Sequence, residues 1–154
     1  MKARKGFTLI ELLIVIGIIV LLAGVVIIAL NPARQFALAR NSQRWSNVNA
    51  ILNAVGQRMA ENKGIWSSSG CTAPVGLTTI PAVTTQIGHA VGLVDLEACL
   101  VPNYLAGILL DPKTGTTTAT GYWIFQDATT GRITVNAPEG LLDIPGSDAI
   151  TISR

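Results

Sequence analysis

The stretch that decides the fold is the first thirty residues, Met1–Leu30, MKARKGFTLIELLIVIGIIVLLAGVVIIAL. Its first five positions hold Lys2, Arg4 and Lys5, and from Phe7 onward the only charged side chain is Glu11. Leu12 to Leu30 is nineteen residues without a charge, and at about 1.5 Å per helical residue it reaches about 29 Å, close to the hydrocarbon thickness of a bilayer. A cleaved secretory signal needs a short apolar core followed by a small-residue cleavage site, and Ala23-Gly24 is a poor one inside a run that continues past it. The stretch therefore reads as a membrane-spanning helix. Three basic residues before it orient its start toward the cytoplasm and place the residues after Leu30 outside.

Working outward, the whole chain has 154 residues, room for one domain with a core of its own. Apolar residues make up 49% and charged residues 13%, a skew that comes mostly from the N-terminal stretch. The formal charge of +2 has the same origin, because without Lys2, Arg4 and Lys5 the count is eight basic against nine acidic. No basic surface for nucleic acid is expected from that balance. Glu11 is the discriminating residue, since a carboxylate in the apolar part of a spanning helix costs about 2.5–3.5 kcal/mol. Either it sits hydrated at the cytoplasmic interface or it has a partner.

The string Lys5-Gly6-Phe7-Thr8-Leu9-Ile10-Glu11, after a short basic leader and before an apolar helix, resembles the N-terminus of type IV pilins and of the pseudopilins of type II secretion. The resemblance implies that a prepilin peptidase removes the leader 1–6 by cutting between Gly6 and Phe7, and that the new amine of Phe7 is methylated. It also implies that the carboxylate of Glu11 neutralises the Phe7 amine of a neighbouring subunit when helices stack into a filament core. Opposite charges attract strongly in such a bundle and either one alone is penalised, so the pair sets the register of each incoming subunit. The expected fold is pilin-like α+β: a long N-terminal α-helix, apolar in its first half (7–30) and amphipathic in its second (31–63), packed on a small antiparallel β-sheet within 64–154. The expected function is that of a structural, major pilin-like subunit of a type IV pilus or related surface filament. Alternatives are a pseudopilin of a secretion or DNA-uptake filament, and a single-pass anchored binding protein that does not polymerise. The implied partners are identical subunits, the prepilin peptidase, the inner-membrane assembly machinery and, before assembly, the membrane. The chain is then extracellular once polymerised.

Pro32 separates the second helical stretch from the first, either as a kink around Leu30 to Pro32 or with Asn31 capping a fresh helix. Beyond it Trp45, Val48, Leu52, Val55 and Met59 recur at spacings of three and four and predict a buried stripe, with Arg40, Arg44, Asn47, Gln57 and Arg58 largely off it. Asn62-Lys63-Gly64 offers a helix stop. From Gly64 to Pro81 the chain is a Ser, Thr, Gly and Pro loop, and beyond it a short helix is expected around Asp95 to Leu100, halted by Pro102.

Cys71 and Cys99 are the only cysteines. They are read either as two buried free thiols or, the favoured reading in a compartment outside the cytoplasm, as a disulfide that closes a loop of about thirty residues and contributes about 3–4 kcal/mol. The last third reads as three strands, GYWIFQ, RITVNA and AITIS, the first two joined by a DATTG hairpin loop. Ile133, Val135 and Ala137 share one face. The string DPKTGTTTATGYW is similar to the Asp-Pro turn that leads into the sheet in some members of the same family. Catalytic chemistry has no constellation here: His89, the only histidine, has no acidic residue or serine at a catalytic spacing and reads as a polar surface residue. Asp143 and Asp148 are too few for a calcium site, so neither metal nor cofactor is expected.

Overall fold

The computed structural model describes residues 6–154 apart from 72, 74 and 75; the basic residues of the leader lie outside the described residues. The chain forms two compact units, Met1–Phe36 and Ala37–Arg154. In the first, α1 spans Leu9–Leu30. Its 22 residues correspond to about 33 Å, long and apolar enough to cross a membrane, and none of them is buried.

α1 stops at Asn31, which adopts a left-handed conformation with φ 44°. Pro32 disfavours the right-handed helical region in the residue before it, and asparagine tolerates the left-handed one. The same Asn31 starts the next helix. Its side-chain carbonyl accepts from the Arg34 amide at 3.3 Å, and α2 runs Pro32–Glu61 with proline at its first position, where no N–H is missed. α2 ends in a turn with Lys63 and Gly64 at positive φ, and the Gly64 amide donates to the Met59 carbonyl at 2.8 Å.

The buried face of α2 differs from the expected stripe. Val48, Leu52 and Val55 are buried as expected, joined by Ile51 and Ala54, but Trp45 is 39% exposed while Arg44 is fully enclosed. Asn41, Asn47 and Arg58 are buried as well. The face has helical spacing, but polar residues with partners in the rest of the domain occupy part of it, and an apolar count cannot see those partners.

The sheet is a four-stranded antiparallel meander, β1 Thr85–Gln86, β2 Trp123–Gln126, β3 Ile133–Ala137 and β4 Ile150–Ser153, paired in that order. The three longer strands are those expected; β1, two residues long, offers no alternation to read. The turn between β2 and β3 is organised by Asp127, whose Oδ1 accepts from the amides of Thr129 at 2.8 Å and Thr130 at 2.7 Å, with Gly131 at φ 71° closing it. Ile133, Val135 and Ala137 are all buried, together with Ile124 and Ile150, against the apolar residues of α2. A four-residue helix, α3 Glu97–Leu100, buries Cys99 and Leu100 in the same core, and a further short helix, α4 Glu139–Asp143, precedes β4.

Candidate functional site

The N-terminal motif opens α1. Phe7 is 89% exposed and a side-chain carbon on Gly6 would meet nothing within 4 Å, so the Gly6-Phe7 bond is sterically open. Thr8 caps the helix: its hydroxyl accepts from the Glu11 amide at 3.2 Å, while Glu11 Oε2 accepts from the Thr8 amide and hydroxyl, each at 3.0 Å. This reciprocal arrangement satisfies two helix-end donors and sets a carboxylate at the positive end of the helix dipole. Glu11 thus has a partner within its own chain. The signal was present in the sequence, where Thr8 and Glu11 stand three apart directly before the apolar run.

In the second unit the central feature is a buried ionic cluster. Arg44 donates to Asp111 Oδ2 at 2.5 Å and Oδ1 at 3.0 Å, to Asp143 Oδ2 at 2.5 Å and to Asn41 Oδ1 at 2.7 Å. Asp143 also accepts from Arg40 at 2.8 Å and from Lys113 at 2.7 Å, so both its oxygens are engaged by cations. Asp111 additionally accepts from the amides of Lys113 and Thr114, which folds its Asp-Pro turn back on itself. Gly115 is required there, because a side-chain carbon would lie 2.3 Å from the Asp111 nitrogen.

Burial pulls the Arg44 guanidinium down, but its hydrogen bonds to Asp111 and Asp143 outweigh that and hold it further above its ordinary value. Hydrogen bonding from Arg40, ahead of Lys113 and Arg44, holds the Asp143 carboxyl well below the usual carboxylate range against its burial. For Asp111 burial is the largest influence and pushes upward, yet Arg44 and the two turn amides leave the group lowered. The cluster binds α2, the Asp-Pro turn and α4 together.

Two expectations about the remaining site residues meet the structure differently. Cys71 and Cys99 are joined by a disulfide, with Cα atoms 4.8 Å apart. His89 is not an isolated surface residue: Nδ1 lies 2.9 Å from Asp95 Oδ2 and Nε2 2.6 Å from Glu97 Oε2. Asp95 first and Glu97 second raise the imidazole above its ordinary value. The correction comes from the loop, which turns between Ala90 and Leu93 and carries residues six and eight positions on back to the ring. Spacing suited to a catalytic triad does not detect such a return.

Residues 1–27 match the family model of the prokaryotic N-terminal methylation motif. Two curated fimbrial proteins of Pseudomonas aeruginosa are each 44% identical to the chain over 71 residues, 45% of this chain and 44% of each relative. The match thus spans less than half the length of those relatives. No solved structure matches significantly. The chain thus carries a methylation motif on an exposed apolar helix followed by an α+β unit, and over 71 residues it is similar to fimbrial proteins.

Proposed function

We propose that the chain is a structural subunit of a type IV pilus or a related cell-surface filament. The single observation that supports this most is the methylation motif on a 22-residue apolar helix whose side chains are all exposed. Such a surface is incompatible with water and needs lipid or other copies of the same helix around it. Before assembly α1 spans the cytoplasmic membrane with the C-terminal unit outside. A prepilin peptidase then cuts between Gly6 and Phe7, and the Phe7 amine is methylated.

In the filament Glu11 meets the Phe7 amine of a neighbouring copy. The charge that Thr8 caps within one chain is thereby offered an ionic partner from the next. The role is mechanical and carried by polymerisation.

Shearing the producing cells and imaging the supernatant by electron microscopy, with intact mass of the purified subunit, tests the reading. Long particles made of a chain that begins at Phe7 and carries added methyl mass are expected. Recovery of the protein only as a membrane-bound monomer, or of a chain retaining Met1 to Gly6 in cells that carry the peptidase, overturns it.

A further inference from the structure

Arg58 is a feature of the second unit that neither the N-terminal motif nor the ionic cluster uses. Its guanidinium is buried, and its neighbours are neutral: Nε donates to the Ser67 carbonyl at 2.9 Å, Nη1 to the Cys99 carbonyl at 2.9 Å and Nη2 to the Ser69 carbonyl at 2.8 Å. The Trp66 ring lies 5.6 Å from the guanidinium carbon. Among the described residues the ion pairs are made by Arg40, Arg44, His89 and Lys113, and no carboxylate reaches Arg58. A buried cation without a counter-ion is costly. The fourth contact of this guanidinium is Cys71 Sγ, 3.1 Å from Nη2.

We propose that Arg58 is built for the dithiol form of the chain, in which it holds Cys71 as a thiolate, and that Cys71 is the sulfur which first engages an external disulfide oxidant. Three carbonyls anchor the guanidinium independently of the sulfur, so the cation is in place before the bond forms. A nearby arginine lowers a thiol's pKa and raises its thiolate fraction at neutral pH. Access points the same way, because Cys71 is partly exposed whereas Cys99 is only 4% exposed.

The chemistry balances with a disulfide-bearing oxidant R–S–S–R. The Cys71 thiolate attacks one sulfur, the R–S–S–R bond breaks and one RS⁻ leaves, giving a Cys71–S–S–R mixed disulfide. Cys99 then loses its proton to water, its thiolate attacks the Cys71 sulfur, and the second RS⁻ leaves. The cysteine pair has given up two electrons, and the oxidant is reduced to two thiols. This order does not depend on the filament reading.

The test uses the full chain in detergent, reduced by a water-soluble phosphine under native conditions and freed of it. Alkylation of each cysteine by iodoacetamide is followed by mass spectrometry across pH. Cys71 should react at least about tenfold faster than Cys99 at neutral pH, with a midpoint below the ordinary thiol value of about 8.5. In urea the two rates should converge. Arg58→Gln should move the Cys71 midpoint back to the ordinary value. With oxidised glutathione, the Cys99→Ser chain should form its mixed disulfide faster than the Cys71→Ser chain. A Cys71 midpoint at the ordinary value in the native wild-type chain, or Cys99 reacting as fast as Cys71, overturns the proposal even where Arg58→Gln does not fold.

Discussion

Arg44 donates from two nitrogens to both carboxylate oxygens of Asp111, and both side chains are closed to solvent. Removing Asp111 takes both of these bonds from a buried guanidinium that keeps only Asp143 as counter-ion, and losing hydrogen bonds to a buried charged group costs about 1.5–3 kcal/mol. Asp111→Ala should therefore lower the stability of the C-terminal unit by that order, read from the urea midpoint of the full chain in detergent. A loss below about 1 kcal/mol, the range of surface pairs, would contradict the burial.

The same cluster sets the response to acid. Asp143 and Asp111 have folded-state values below their unfolded ones, so they contribute stability above the unfolded carboxylate value of about 3.9. That stability is lost as pH falls through the lower folded values. Asp143→Asn should flatten the acid limb of a plot of urea midpoint against pH. An unchanged limb in that variant would assign acid sensitivity to other carboxylates.

His89 gives the opposite slope. Its folded value is raised, so its contribution is complete below the unfolded value of about 6.5 and disappears as pH rises through the folded one. The physical reason is that a neutral imidazole has one N–H and can donate to Asp95 or Glu97 but not both. His89→Gln should remove the decline in urea midpoint on the alkaline side of neutrality; persistence of that decline would mean that another group titrates there.

Glu11 separates cap from charge. Glutamine at this position retains the reach needed for the capping box with Thr8, so Glu11→Gln should leave α1 intact and the chain inserted and cut after Gly6. On the proposed filament reading, a buried pair with a neighbouring Phe7 amine would be lost at every addition, at about 3–5 kcal/mol each. Few or no filaments are expected from this variant alone, counted by electron microscopy beside immunoblots of the membrane fraction. Normal filament numbers would return Glu11 to a capping role only.

The span, the motif and the strands are legible in the sequence because each depends on residues near one another along the chain. Nineteen uncharged positions from Leu12 need only counting, and the alternation of Ile133, Val135 and Ala137 carries its own period. Asn31 and Pro32 announce both a break and a new start, and the backbone uses both.

What only tertiary structure decided concerns polar residues whose partners are distant. Helix position alone makes Arg44 a solvated residue, but its anions, Asp111 and Asp143, stand 67 and 99 residues away and make burial of the charge tolerable. Arg58 and the loop at Ser67 to Cys71, and His89 between Asp95 and Glu97, obey the same rule. An apolar side chain is driven inward by its own transfer from water, wherever its neighbours come from; a charged one is buried only where the fold supplies its counterparts, and that supply is a property of the folded chain.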